Sequence, residues 1–251
     1  MNESNVAMYN RAAVDWKRTE PVLLSDFTAR PFLMSWCDPV GGQRVLDLGC
    51  GEGYFARQLA QRGAASVEGI DSSEEMIAGA TALEASNPLG IGYRVSDAAE
   101  LSDFPDGAFD LVVAVFLFNY VDCEKMRAIM RGVFRVLQPG GRFVFSVPHP
   151  FFPFIHEQQP PFFFQSEDAQ YLTARDELFE GRIWRRDGTD VPVRCIHKRL
   201  EDYFHALAEA GFNTMPEVQE LHAQRKHLEM DPGFFAPLKG KPLHLAFRIT
   251  R

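Results

Sequence analysis

Between residues 43 and 147 the chain alternates short apolar runs with amphipathic stretches. Arg44 to Leu48 follows Gly41-Gly42 and reads as a strand. Tyr54 to Gln61 then takes up helical spacing and closes at Gly63. Ser66 to Ile70 predicts a second strand. Ser72 or Ser73 caps the next helix, with Glu74-Glu75 in its first turn, and Asn87-Pro88-Leu89-Gly90 ends it. Ile91 to Val95, Phe109 to Phe116 and Arg142 to Val147 predict three more strands, with a helix over Cys123 to Leu137 between the last two. FDLVVAVF is apolar throughout, as a central parallel strand tends to be. Strand and helix in alternation predict a doubly wound α/β fold with a mostly parallel sheet. In such a fold the ligand sits at the carboxyl ends of the strands.

Outside this stretch the pattern changes. Val6, Tyr9, Ala13 and Trp16 recur at helical spacing, so residues 1–40 read as an N-terminal helical cap. From Pro148 the phenylalanine- and proline-rich segment PHPFFPFIHEQQPPFFF excludes a regular helix or a central strand. Residues 148–197 read as a lid inserted after the fifth strand, with a hairpin around Arg186-Asp187-Gly188-Thr189. Residues 198–251 supply a helix over Leu200 to Ala210, capped by Gly211, and a last strand over Leu243 to Thr250. The whole, 1–251, is expected to be one domain, with 43–147 as its cofactor-binding half.

Composition narrows the function. The chain is 46% hydrophobic, enough for a sizeable core, yet has no run of apolar residues long enough to span a bilayer. The N-terminal MNESNVAMYN lacks the basic head and apolar stretch of a secretory signal. Cys37, Cys50, Cys123 and Cys195 are widely spaced, which suits a reducing cytoplasm rather than a disulfide framework or a zinc site. A net charge of -8 without a Lys/Arg cluster disfavours nucleic acid. The expected partner is a small molecule, bound by a monomer or homodimer without membrane attachment.

DLGCGEG, residues 47–53, carries the chemistry. Alternate glycines between strand and helix turn the chain tightly and leave no Cβ in a ligand's way. The spacing is one residue tighter than the dinucleotide GxGxxG, and Asp47 before the turn would repel a pyrophosphate. Asp71 ends the second strand, where a carboxylate can accept from a ribose diol. Asp97 ends the third, within reach of an adenine amine. Three acids at three strand ends fit a nucleoside with a positive tail and no phosphate, as in S-adenosylmethionine.

DLGCGEG, GIDSS, SDAAEL, FDLVVAVF and LQPGGRFVFSV, in this order, resemble the class I S-adenosylmethionine-dependent methyltransferases. The resemblance covers roughly residues 43–147 and implies a seven-stranded Rossmann-like sheet. It implies that Asp47, Gly49, Gly51 and Gly53 bind the methionine part, that Asp71 takes the ribose hydroxyls, and that Ser72 and Met76 lie beside the adenosine. Asp97 and Ala98 would meet adenine, and the region near Phe116 would line the sulfonium. Tyr9 and Trp16 would close over the cofactor, with Arg11 and Arg30 as secondary candidates for its carboxylate. One departure is FLFNYV, where many small-molecule members carry a histidine and this chain has Asn119.

For the methyl acceptor, His149 follows the fifth strand directly and is the first candidate for a base. His156 and His197 are weaker candidates. Asn119, Phe151 and Phe152 are expected to contact substrate. Asp122 and Glu124 read as a helix start, so no metal is expected. The expected reaction is methyl transfer to nitrogen or oxygen of a small aromatic or heteroaromatic metabolite, in specialised-metabolite biosynthesis. The alternatives are a quinone-type or lipid-like acceptor, and a non-catalytic S-adenosylmethionine-binding regulatory module. The glycine spacing with Asp47 argues against a dinucleotide oxidoreductase.

Overall fold

The computed structural model describes residues 4–155, 157–166 and 168–251. Its strands are β1 (Arg44–Leu48), β2 (Ser66–Asp71), β3 (Ile91–Val95), β4 (Phe109–Val115), β5 (Leu137–Pro148), β6 (Phe162–Gln165), β7 (Leu178–Trp184), β8 (Asp190–Ile196), β9 (Glu217–Leu221) and β10 (His244–Thr250). The helices are α1 (Asn5–Trp16), α2 (Leu24–Thr28), α3 (Arg30–Cys37), α4 (Tyr54–Gln61), α5 (Glu74–Ser86), α6 (Cys123–Val136), α7 (Phe152–Ile155), α8 (Leu200–Ala210), α9 (Arg225–Met230) and α10 (Pro232–Phe235).

Seven strands form one sheet in the order β3-β2-β1-β4-β5-β10-β9. β1 to β5 pair in parallel; β10 is antiparallel to both neighbours. The order reverses at β1, so the carboxyl ends of β1 and β4 open a crevice there. β10 runs the other way, and its first residues therefore join the same rim. His244 lies opposite Pro148 in register.

Both faces of the sheet are covered. On one, α6 and α8 bury Met126, Ile129, Met130, Val133, Tyr203 and Leu207 against Phe143, Phe145 and Phe247. The α6 positions recur every three or four residues, and each such side chain contributes about 1.5–3 kcal/mol by leaving water. Asp122 caps this helix, accepting from Lys125 N at 2.8 Å. On the other face, α3 and α4 bury Leu33, Met34, Phe55 and Leu59 against Val45, Val113 and Val144. The segment after β5 forms a second sheet, ordered β6-β7-β8. Its Phe162, Phe164, Ile183 and Val193 join a third cluster with Leu23, Leu24 and Phe235.

Several boundaries differ from the pattern-based expectation. β5 starts at Leu137 rather than Arg142, because Leu137 pairs with Phe109 across an irregularity in the β4–β5 ladder. β9 was not legible: its residues are exposed up to Leu221, so no alternation marks this edge strand. The phenylalanine-rich segment holds one short helix and one edge strand, β6, which follows Pro160-Pro161.

Candidate functional site

A cavity of about 350 Å³ opens at the carboxyl ends of β1, β2 and β4. α1 contributes Tyr9 and Trp16 to its wall, and the small sheet contributes Phe162, Phe164, Ile183 and Val193. Of the residues expected from sequence, Gly49, Gly51, Asp71, Ser72, Met76, Asp97, Ala98, Phe116, Asn119 and Tyr9 all line it.

The glycine turn is held from β2. Gly49 N and Cys50 N donate to Ile70 O at 2.8 and 3.0 Å. Gly49, Gly51 and Gly53 have φ of 67°, 55° and 82°, a region that disfavours any Cβ. At Gly51 a Cβ would meet nothing within 4 Å, so its backbone borders open space. The Asp71 carboxylate accepts from Gly51 N and from Ser73 N, both at 2.9 Å, which ties the turn to the end of β2. Burial raises the Asp71 pKa, and these N–H donors oppose the shift. Each carboxylate oxygen keeps a lone pair beyond its backbone bond. A bare glycine backbone beside an acid of this kind fits an adenosine ribose.

Asp97 accepts from Ala99 N at 2.9 Å and pairs with the Lys125 ammonium. Partial burial would raise its pKa, but these two donors hold it below the usual carboxylate range. Lys125 also lines the cavity, so the acid expected at the adenine edge shares its charge with a lysine that sequence reading missed.

Asp47 and Gly53 stand behind the cavity rather than in its wall. A Cβ on Gly53 would come within 2.3 Å of the Tyr93 hydroxyl, so this glycine makes room for a side chain, not a ligand. Asp47 is 2% exposed and its Oδ2 has no hydrogen-bond partner among the described residues. Burial, then the nearby Asp71 charge, pushes its pKa up to about 8. A folded-state value above the unfolded one means that the native state holds an extra proton between about pH 4 and 8. Asp47 therefore favours folding at low pH, and this contribution is lost as pH rises through that window. Asp47→Asn should remove the decline. Denaturant melts at pH 5 and pH 8 should show the variant gaining on the parent at the higher pH, by on the order of several kcal/mol.

Three buried charges and the half-buried Arg30, which sequence reading did not connect, lie beside the turn. Arg18 donates to both oxygens of Asp26, at 3.0 and 3.1 Å, and to Glu52 at 2.5 Å. Arg30 also donates to Asp26, at 3.0 Å, and to Ser25. Both of those Arg30 bonds use Nη1, leaving Nε and Nη2 to serve the cavity that the guanidinium lines. Arg30 also lies 5.5 Å from the centre of the Phe116 ring. Phe116 has a φ of 61°, a strained value for a residue with a side chain, held where β4 ends.

The acceptor candidates need correction. His149 does not line the cavity. Its Nε2 faces Glu220 at 3.2 Å and its Nδ1 accepts from Phe151 N at 3.2 Å, so both ring nitrogens are engaged outside. Phe151 is 44% exposed and packs on Tyr171. Phe152 is fully buried and stacks on Phe162 at 4.7 Å, behind the wall. His197 is enclosed by Phe154, Tyr171 and Phe179, away from the cavity. His156 lies outside the described residues. In their place stand His244, Phe162 and Phe164. The period-two spacing of Phe162 and Phe164 was a usable signal, since both then face one side of a strand. His149→Gln should accordingly change turnover by less than about twofold in a steady-state assay, since the residue does not line the cavity and both ring nitrogens are engaged elsewhere.

Fold and site together define a Rossmann-like protein with an acid-lined cavity at the carboxyl ends of its central strands. The family described as "Methyltransferase domain" matches residues 45–141. A ubiquinone biosynthesis O-methyltransferase of Pseudomonas aeruginosa (strain LESB58) is 28% identical over 149 residues, 58% of this chain and 63% of that protein. A counterpart in Pseudomonas fluorescens (strain Pf0-1) is 27% identical over 175 residues, covering 68% and 71%. The match thus spans just under two thirds of the first relative's length. Among solved structures, an S-adenosylmethionine-dependent methyltransferase from Mesorhizobium loti has a TM-score of 0.66 at 29% identity, over 88% of this chain and 96% of that one. The CcbJ methyltransferase from Streptomyces caelestis shares the fold, with a TM-score of 0.66 at 19% identity over 100% and 99%. The chain is thus similar to S-adenosylmethionine-dependent methyltransferases, and its residues 45–141 match a methyltransferase domain.

Proposed function

We propose that the protein methylates oxygen or nitrogen of a small, flat, largely apolar molecule. The observation that carries this reading is one cavity with two unlike halves. Acids and bare glycine backbone line one half, and Phe162, Phe164, Ile183 and Val193 line the other. Asp71 would hold the ribose, Ser72 and Met76 the adenosine, and Asp97 with Ala98 the adenine. Arg30, with Nε and Nη2 beyond its bonds to Ser25 and Asp26, would hold the methionine carboxylate. When bound, S-adenosylmethionine supplies a methyl group on a cationic sulfur that is already a good leaving group. The protein's share is alignment and exclusion of water, and orientation of this kind is worth about 7–11 kcal/mol of barrier. Tyr9 on α1, 5.0 Å from Tyr120 edge to face, would close the site over the cofactor. The small sheet within residues 148–197 would select the acceptor, and residues 43–147 would serve the cofactor.

The names of the Pseudomonas relatives favour a second acceptor class, a quinone-type precursor, whose ring would suit the same wall. Incubation with methyl-labelled S-adenosylmethionine and separate panels of phenols, heteroaromatic amines and quinol precursors distinguishes the classes. Label appearing in an organic-extractable product of one panel supports methyl transfer and identifies the class. Cofactor binding with no labelled product from any panel supports a regulatory module instead.

A further inference from the structure

His244 is 2% exposed, lines the cavity, and sits with its ring 5.0 Å from Phe116 and 6.2 Å from Phe162. It therefore stands between the strained turn after β4 and the aromatic wall. Its tautomer follows from its neighbours. The Thr28 hydroxyl donates its only proton to Leu24 O at 2.9 Å. Toward His244 Nε2, 3.2 Å away, that oxygen can only accept. On this basis we assign the ring proton to Nε2, which leaves Nδ1 with a bare lone pair. That Nδ1 is buried and has no hydrogen-bond partner among the described residues. A buried acceptor left unpaired is costly, and such atoms occur where a ligand completes the bond.

We propose that His244 Nδ1 receives the hydrogen bond, and then the proton, of the acceptor's reacting hydroxyl, so that the substrate is an aromatic alcohol methylated on oxygen. This rests on the methyltransferase reading above. The step balances as follows. An oxygen lone pair forms the new O–CH3 bond, the C–S bond pair returns to sulfur, and the hydroxyl proton passes to Nδ1 and later to solvent. The products are the methyl ether and S-adenosylhomocysteine. Burial, with Arg30 and His149 nearby, pushes the His244 pKa down to about 3. Such a ring cannot take a proton from a methylated ammonium product. It can take one from a protonated ether, which is a far stronger acid. Thr28 is a positioning residue, since it sets the tautomer.

Two variants separate this role from mere packing. In His244→Asn the amide oxygen can occupy the place of Nδ1. In His244→Gln the amide reaches Thr28 but nothing replaces Nδ1. Calorimetry with saturating S-adenosylhomocysteine measures binding of 2-naphthol and of its methyl ether, which lacks the donor. The parent and His244→Asn should prefer 2-naphthol by about fivefold to tenfold, the effect of one net hydrogen bond, and His244→Gln should lose the preference. The proposal is overturned if the parent does not bind 2-naphthol, shows no preference, or if His244→Gln keeps it. Failure of S-adenosylhomocysteine itself to bind defeats the methyltransferase reading, and the proposal with it.

Discussion

Asp71→Ala should weaken S-adenosylmethionine binding by at least about tenfold, since a hydrogen bond to a charged group is worth about 1.5–3 kcal/mol. Two losses combine in this one change. The ribose hydroxyls would lose their acceptor, and Gly51 N and Ser73 N would lose the carboxylate that now fixes them at 2.9 Å. The second loss loosens the turn that the cofactor's methionine part must approach. Isothermal titration of parent and variant gives the ratio, and circular dichroism checks that the variant is folded. An unchanged affinity would mean that the ribose does not lie against Asp71.

Gly53→Ala should act on stability instead. The backbone there has a φ of 82°, which costs an L-residue roughly 1–2 kcal/mol. The added methyl would also lie 2.3 Å from the Tyr93 hydroxyl and 2.8 Å from the ring carbon that bears it. Relieving an overlap of that kind costs typically about 1–3 kcal/mol. A total of about 2–5 kcal/mol in denaturant melts is expected. Gly51→Ala makes the contrast, because its Cβ would enter open space. That variant should lose only the backbone share in stability and should lose affinity for the cofactor. If both variants melt alike and bind alike, the division between a packing glycine and a ligand-facing glycine is wrong.

How much of this was legible in the chain depends on the range of the forces involved. The glycine turn, Asp71 and Asp97 were legible because each lies at the end of its own strand, and the apolar run before it places it. The helix Asn5–Trp16 followed from helical spacing, and Tyr9 at the cavity from the family resemblance. The acceptor half was not legible, because long-range pairing builds it. Sequence reasoning put a histidine at the end of β5 and chose His149. The antiparallel β10 brings His244 to the same rim, opposite Pro148, where it lines the cavity, while the His149 ring turns to Glu220. Sequence reading singled out Arg30 only as a secondary candidate and did not connect it with Arg18, Asp26 and Glu52. They become a buried network only when α2 and α3 fold against the turn. Phe151 and Phe152 were chosen over Phe162 and Phe164 because composition marks an aromatic segment but not the side it faces.

The central claim is that this cavity is an S-adenosylmethionine site. Calorimetric titration of the purified protein with S-adenosylmethionine and, separately, with NAD tests it most directly. Micromolar binding of S-adenosylmethionine with no heat from NAD is the predicted result. Binding of NAD alone, or of neither, would contradict it.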